Sequence, residues 1–342
     1  MNKLFFVLPI AAMTVACGGG GQSGSGSQLT IVGSSTVYPF TTAVAEQFQR
    51  ANSGLSVIVE STGTGAGMKL FCQGVGSNTP DMTNASRRIK ESELADCHQN
   101  GVNVIEFPVG IDGLALIRSV ESKPMELSLR DLYAALAARP FGQEQTAKTW
   151  ADVNPSLPAT PIRVVGPPPT SGTRDSLNEL FLEAGCASDP RMKALKEQNE
   201  DEYKEVCTRI REDGAFVEAG ENDNLLVQKV ATDPNAIGVL GYSFLSENRD
   251  RIRPVEIDGV APTDETISNL SYPGARRIYT YAKGSHIQAK PAIRDFIAMY
   301  AQMARRGGLL QSRGLVPFDG QDADAQQQQA QALKPLEASE LQ

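Results

Sequence analysis

Three short turns rich in serine, threonine and glycine each lie between a strand-like and a helix-like segment. The N-terminus of a helix exposes unpaired backbone N–H groups and about half a positive charge, so it favours a bound anion. One such turn is explained equally well by N-capping, but three in one chain predict a shared anion site. The turns are Gly33-Ser34-Ser35-Thr36, Ser61-Thr62-Gly63-Thr64-Gly65 and Thr170-Ser171-Gly172-Thr173, and Asn84-Ala85-Ser86-Arg87 is a fourth segment of small residues.

The same residues do not fit nucleotide binding or nucleophilic catalysis. The run Gly63-Thr-Gly-Ala-Gly67 lacks both the GxGxxG spacing and the lysine–hydroxyl pair of a P-loop. No GxSxG elbow surrounds the turn serines, and His98 and His286 are the only histidines, in contexts that do not suggest a general base. The serines are therefore expected to donate hydrogen bonds, and we expect no enzyme activity, no cofactor and no metal.

The composition limits the class of protein. Hydrophobic residues make up 41% and charged residues 21% of the 342 residues, which excludes a disordered chain and a membrane bundle. At roughly 150 residues per domain, this length predicts two domains. The 32 Lys and Arg against 40 Asp and Glu give a net charge of −8, which argues against nucleic acid as a partner.

The N-terminal segment has the pattern of an export signal. The apolar run from Leu4 to Ala16 is shorter than the roughly 20 residues that a membrane-spanning helix needs. Cys17 follows this run between small residues, which resembles a lipobox, so we predict a lipoprotein signal peptide over residues 1–16 and lipid on Cys17. The alternative is an ordinary signal peptide with an incidental cysteine. Residues 17–27 are predicted to form a Gly/Ser tether.

Export bears on the other four cysteines. An even number of cysteines in an oxidising compartment predicts disulfides, and three pairings are possible. We favour the local pairing, Cys72 with Cys97 and Cys186 with Cys207, because it closes short loops inside separate regions. A zinc site is disfavoured because the CxxC-like pairs that it needs are missing from the sequence.

Strand-like and helix-like segments alternate along the chain, which predicts an α/β fold with largely parallel strands. Near the start, a strand pattern over 28–33 is followed by Val37, Phe40, Val44 and Phe48 at helical spacing. At the end, residues 321–342 are polar and contain four consecutive glutamines, so we predict a disordered tail there.

In chain order, the small-residue segments resemble those of the PstS family, the phosphate-binding proteins of high-affinity ABC transporters, and in particular its SphX-like branch. The resemblance covers about residues 28–318. The matching segments are Gly33-Ser-Ser-Thr-Val-Tyr-Pro39, the turn around Thr64, the cysteine-framed stretch from Phe71-Cys72 to Cys97 with Asp81-Met-Thr-Asn-Ala-Ser-Arg87 inside it, Ser171-Gly-Thr173, and Asn222-Asp-Asn-Leu-Leu-Val-Gln228 followed by Ala236-Ile-Gly-Val-Leu-Gly-Tyr242.

The resemblance implies a type II periplasmic-binding-protein fold, with two α/β lobes, a hinge that the chain crosses twice and a ligand cleft between the lobes. Lobe one would comprise residues 28–110 plus 270–320, and lobe two residues 111–269. In the family a dehydrated oxyanion lies in the cleft beneath many hydrogen-bond donors, and Arg87 would hold two of its oxygens at once. The ligand-binding residues implied here are Ser35, Thr36, Thr64, Ser86, Arg87, Ser171, Gly172 and Thr173.

Two positions depart from the better-known family pattern. Arg87 replaces an Asp that normally accepts the proton of hydrogen phosphate and repels sulfate, and Pro167 replaces an Arg. Another acceptor must therefore provide the selectivity. Asp112 is the first candidate, with a turn-forming role as its alternative, and Glu60 and Asp175 follow. For Arg87 the alternative is a solvated surface residue.

The resemblance implies a lipid-anchored protein, periplasmic or at the cell surface of a bacterium, that captures inorganic phosphate and delivers it to an ABC permease in the inner membrane. It would bind its ligand without turnover. Two alternatives stay open: the same fold binding sulfate or another oxyanion, and a lipoprotein adhesin without a transport role.

Overall fold

The computed structural model describes residues 28–220 and 222–341. The predicted signal peptide over 1–16, the lipidated Cys17 and the tether over 17–27 lie outside the described residues. In the part that is described, no helix has both the length and the apolar character needed to cross a bilayer.

The strands form one sheet that is continuous through both halves of the protein. Within the described residues the strands are β1 (Gln28–Gly33), β2 (Ser56–Ser61), β3 (Met82–Ala85), β4 (Val104–Ser119), β5 (Glu126–Leu127), β6 (Val164–Gly166), β7 (Phe216–Glu218), β8 (Ile237–Gly241), β9 (Ile252–Pro254), β10 (Glu256–Ile257) and β11 (Ala275–Lys283). The strand order is β2-β1-β3-β11-β4-β8-β6-β7, β9 also pairs with β4, and β5 with β10 forms a separate small sheet.

Helices connect most of these strands, which confirms the predicted α/β fold. The expectation of largely parallel strands is wrong, because β11 and β4 pair antiparallel with all their neighbours and the sheet is mixed. The helices are α1 (Tyr38–Ala51), α2 (Thr64–Phe71), α3 (Glu91–Gln99), α4 (Leu129–Leu136), α5 (Trp150–Val153), α6 (Gly172–Ser176), α7 (Glu183–Cys186), α8 (Pro190–Gln198), α9 (Glu200–Thr208), α10 (Asp223–Ala231), α11 (Tyr242–Glu247), α12 (Asp264–Ser268), α13 (Gly284–Ala289), α14 (Ala292–Ala304) and α15 (Gly320–Ala332). A π-helical segment, Leu177–Leu182, joins α6 to α7, so the chain is helical from 172 to 186.

The long strand β4 belongs to both halves of the sheet. Its residues 104–113 pair antiparallel with β11, and its residues 114–117 pair antiparallel with β8. The chain returns from lobe two to lobe one just before β11, next to this point of β4. The Leu114 N–H donates there to the Gly274 carbonyl at 2.8 Å. We call the half with β1, β2, β3 and β11 lobe one, and the half with β6, β7 and β8 lobe two.

Each lobe has its own apolar core. In lobe one, the predicted helical stripe that includes Phe48 is confirmed as the buried face of α1. The Phe48 ring packs edge-on against Phe296 of α14, with ring centroids 5.4 Å apart. In lobe two, the core includes the fully buried side chains of Trp150, Tyr133 and Phe181. Two separate cores allow the lobes to fold as units around the shared strand.

The predicted local disulfide pairing is confirmed. Cys72 is bonded to Cys97, and Cys186 is bonded to Cys207, across sequence separations of 25 and 21 residues. Each bond stabilises the fold by about 3 kcal/mol in the chain-entropy description, because it lowers the conformational entropy of the unfolded chain.

The prediction of a disordered tail over 321–342 is wrong. Residues 320–332 form α15, and the side chain of Gln326 is 2% exposed. Its amide donates to the carbonyls of Pro108 and Val109 at 2.8 and 2.7 Å, where β4 has a register shift against β11. Gln326 therefore satisfies two backbone acceptors of lobe one. A glutamine-rich composition does not reveal that a glutamine has such partners in the folded protein.

Candidate functional site

Three of the small-residue segments lie at the same edge of lobe one. β1 pairs in parallel with both β2 and β3, and Gly33 lies opposite Ser61 on one side and Asn84 on the other. Parallel strands end at the same edge of a sheet, so the segments that follow them are neighbours. This topology explains why turns distant in sequence come together.

The fourth segment approaches from lobe two. Ser171 caps the helix that begins at Gly172, and its side chain accepts from the Thr173 N–H. A Cβ atom added at Gly172 would lie 2.6 Å from the Ser35 carbonyl oxygen and 2.8 Å from the Thr36 Cα. The two lobes are thus in direct backbone contact at this point, and only glycine fits between them.

An inner cavity of about 420 Å³ lies where these segments meet. Both lobes contribute hydroxyl groups and backbone to its wall, so six of the nine predicted ligand-binding residues share one cavity. These six are Ser35, Thr36, Asp112, Ser171, Gly172 and Thr173.

The other three predicted residues line a second, more open groove of about 800 Å³, which we call the outer groove. Thr64 and Ser86 contact each other there, with 3.0 Å between their hydroxyl oxygens. Arg87 places its guanidinium on both carboxylate oxygens of Glu93, at 2.9 and 2.8 Å. This hydrogen-bonded pair raises the pKa of Arg87, and Arg87 is not among the residues that line the inner cavity.

Sequence reasoning missed Arg276, which links the two groups. It lies on β11 directly opposite Asp112 on β4, and its side chain is 12% exposed. One of its nitrogens donates to the hydroxyls of Thr36 at 3.0 Å and Ser176 at 2.9 Å. Its guanidinium also pairs with Asp112 and Glu179. The sequence signal was small: two consecutive arginines precede the run Ile278-Tyr-Thr-Tyr-Ala282.

The acidic candidates have different surroundings. Asp112 accepts from Ser176 at 2.8 Å and from Arg276 at 3.3 Å, so its carboxylate already has partners. Asp175 accepts from the Ser35 hydroxyl, and burial raises the pKa of Asp175. Glu60 is exposed and does not line the inner cavity.

A further carboxylate, Asp223, lines the inner cavity and was not singled out from the sequence. Burial raises its pKa to about 6, and no cation in the described residues counteracts this effect. Asp223 follows the capping residue Asn222 at the start of α10. In the sequence the segment Asn222-Asp-Asn carried only the family resemblance, which gave no indication that its middle residue lines a cavity.

Two α/β lobes that share a continuous sheet, with donors from both lobes around one cavity, define the periplasmic-binding-protein class of the type II fold. A family model described as "PBP superfamily domain" matches residues 20–302. Among curated proteins, the chain is 33% identical to Protein SphX of Synechococcus elongatus, over 93% of this chain and 86% of that protein. It is 28% identical to the phosphate-binding protein PstS of Staphylococcus saprophyticus, over 95% and 92% of the two chains.

Solved structures agree with this class. A possible phosphate-binding protein from Planctomyces limnophilus superposes with a TM-score of 0.72 at 26% identity, covering 90% of this chain and 98% of that one. The ABC-type phosphate transport receptor from Vibrio cholerae, at 20% identity, has a TM-score of 0.57 over 84% of this chain and 99% of that one, and shares the fold. The chain belongs to the PBP superfamily, in the family of the SphX and PstS proteins.

The contact at Gly172 leads to a prediction. In Gly172→Ala the added methyl group must push the backbone at residues 35–36 away, so we expect faster amide hydrogen exchange in peptides that cover residues 34–40. Gly241→Ala is the matched control, because its Cβ would be no closer than 3.8 Å to other atoms of the same cavity wall. Unchanged exchange in Gly172→Ala would contradict the close approach.

Proposed function

We propose that this protein is an extracytoplasmic receptor that binds inorganic phosphate between its lobes and delivers it to an ABC permease. The observation that carries the proposal is the inner cavity, where hydroxyl and backbone donors from both lobes converge. The PstS relative and the Vibrio cholerae structure are named for phosphate binding and phosphate transport. In this proposal the ligand bridges the lobes and is released when they separate.

The donors suit an anion that has lost its water. Ser35, Thr36 and Ser171 offer hydroxyl groups, and the helical stretch from 172 to 186 directs its N-terminus at the cavity. Neutral donors and a helix dipole stabilise an oxyanion without the cost of burying a full counter-charge. Thr64 and Ser86 remain in the proposed site as donors from the outer groove.

The proposal adds Arg276 as the principal cation. Its guanidinium already contacts Thr36, so it lies within reach of an anion that this hydroxyl binds. Arg87 remains a second proposed cation, although its guanidinium already donates to the Glu93 carboxylate. An arginine on an oxyanion provides two parallel charge-assisted bonds, which are about twice as strong as neutral ones.

Selectivity for phosphate over sulfate is assigned to a carboxylate, because only hydrogen phosphate has a proton to donate to it. Asp112 remains a candidate, although one of its oxygens, Oδ2, accepts from both Ser176 and Arg276 and its charge is paired with Arg276. We therefore place Asp223 beside it as an acceptor, since this carboxylate lines the cavity and has no cation acting on it in the described residues.

The relatives are binding proteins, and we propose binding without turnover here. Ser35 and Ser86 donate to carboxylates and not to a histidine, and neither histidine lines the inner cavity. A serine hydroxyl that no histidine activates is a weak nucleophile.

Calorimetric titration of phosphate and sulfate between pH 5 and 9 tests the function. Tight phosphate binding at one site per chain is the expected result. A preference for sulfate would support a receptor for another oxyanion, and no binding of either anion would support the adhesin alternative.

The two arginines can be distinguished by substitution. Hydrogen bonds to charged groups contribute about 1.5–3 kcal/mol each, and 1.4 kcal/mol is a factor of ten in affinity. Arg276→Ala should therefore weaken phosphate binding by about a hundredfold, and Arg276→Lys should restore only part of it because lysine lacks the fork. Arg277→Ala is the control, since Arg277 pairs with Asp322.

For Arg87→Ala we expect a smaller loss, because its guanidinium is held by Glu93. Arg88→Ala should change little, since Arg88 bonds to Glu106. A larger effect of Arg87→Ala than of Arg276→Ala would show that Arg87, and not Arg276, is the principal cation of the site.

Asp223 predicts a pH dependence for sulfate. Below pH about 6 its carboxyl is neutral, and above that pH it is ionised and repels an anion that has no proton to share. Sulfate binding should weaken by about tenfold as the pH rises through about 6, since one nearby like charge costs on the order of 1.4 kcal/mol. Calorimetry on Asp223→Asn should lose this step, while Asp233→Asn, which alters a carboxylate paired with Arg163, should keep it. If sulfate affinity in Asp223→Asn still fell as the pH rises through about 6, Asp223 would not be the group that acts on the bound anion.

The proposal includes lipid anchoring at Cys17, which would hold the receptor at the surface of a bacterial membrane. This part of the proposal rests on the short apolar run before Cys17 and the small residues around it. Intact-mass analysis of protein extracted from membranes should show an N-terminal Cys17 with added acyl chains. A water-soluble product cleaved elsewhere would be evidence against the anchor.

A further inference from the structure

Two carboxylates of lobe two occupy donors of lobe one. Asp175 and Glu179 lie one helical turn apart in the stretch from 172 to 186. The Ser35 hydroxyl donates to Asp175, and the Ser86 hydroxyl donates to Glu179 at 3.0 Å. Glu179 also pairs with the Arg276 guanidinium. Each carboxylate therefore bonds to a group that the proposed function assigns to the oxyanion.

These bonds exclude a ligand from the same donors. A serine hydroxyl has a single proton to donate, so Ser86 cannot donate to Glu179 and to an oxyanion at the same time. Arg276 has five N–H groups, but the nitrogen that pairs with Glu179 lies in the same guanidinium fork as the nitrogen that donates to Thr36. An anion that uses both Ser86 and Arg276 must first displace the Glu179 carboxylate.

The two carboxylates are also close enough to repel each other. Burial raises the pKa of Asp175, and the nearby negative charge of Glu179 raises it further. Two like charges on successive turns of a helix destabilise it unless other groups compensate. The compensation here comes from Ser35, Ser86 and Arg276 of lobe one, which contact the two carboxylates. The carboxylates are therefore stabilised by the same donors that the proposed function assigns to the anion.

We propose that Glu179 is an internal competitor for the oxyanion site and that it sets the affinity of this site for phosphate. This inference rests on the proposed function. A ligand that must replace an existing partner binds with an affinity lowered by the fraction of molecules in which the site is accessible. Glu179 thus weakens binding through occupancy of Ser86 and Arg276.

Three variants at two glutamates, Glu179 and Glu183, test this competition by phosphate calorimetry. Glu179→Gln removes the charge-assisted pair with Arg276, and we expect phosphate to bind about tenfold more tightly. Glu179→Asp keeps the charge but is one methylene group shorter, so it loses reach to Ser86 and Arg276 and should also bind more tightly. Glu183→Gln is the matched control: Glu183 lies one turn further along, pairs with Lys196 and should leave the affinity within about twofold.

Each result has a definite meaning. Tighter binding in both Glu179 variants, with the control unchanged, supports the competition. Tighter binding in Glu179→Gln alone would show a long-range charge effect and overturn it, as would equal tightening in Glu183→Gln. Unchanged or weaker binding in the Glu179 variants, beside a wild type that binds phosphate, overturns the inference but not the proposed function. If no variant and no wild-type protein binds phosphate, the proposed function fails and this inference fails with it.

Discussion

The structure depends on a guanidinium that is nearly removed from water where the two lobes meet. Arg276 is 12% exposed, and a charge in such a position is costly unless it is paired and hydrogen-bonded. Its partners come from three parts of the fold: Thr36 after β1, Asp112 on β4, and Ser176 with Glu179 in the helix of lobe two. Any change in the angle between the lobes must change these bonds. The pairing of Arg276 therefore depends on the arrangement of the two lobes seen here.

The same location must also recognise an anion in a chain with a net charge of −8. Bulk charge gives no attraction for phosphate, so we propose that recognition relies on local donors and on the arginines Arg276 and Arg87. The acidic groups around the site then have distinct consequences. Asp112 fixes Arg276, Asp223 faces the cavity with a pKa raised to about 6, and Glu179 holds donors that an anion would use. Affinity and selectivity of such a site follow from the balance among these carboxylates as much as from its donors.

Two differences between expectation and structure have a common origin. The tail was predicted to be disordered from its glutamine content, yet Gln326 finds two backbone carbonyls of β4 and is buried. Arg87 was expected on the ligand through a family resemblance and remains a proposed ligand, but Glu93 holds its guanidinium, and it is Arg276 that contacts Thr36 of the inner cavity. In both cases a polar side chain is governed by a partner distant in the sequence or on another element. Composition and local motif do not identify that partner.

The sequence by itself determined the features that depend on local spacing. The apolar stripe of α1, the turns before the helices and the local disulfide pairing follow from residues a few positions apart or from loop length, and the structure has all three. Only the tertiary structure decided which side chains share the cavity. Arg276 and Asp112 meet because β11 and β4 are antiparallel neighbours across 164 residues of sequence, and Asp223 reaches the cavity through the placement of α10 in lobe two. Such contacts depend on strand register and lobe packing, which a single sequence does not encode at any fixed spacing.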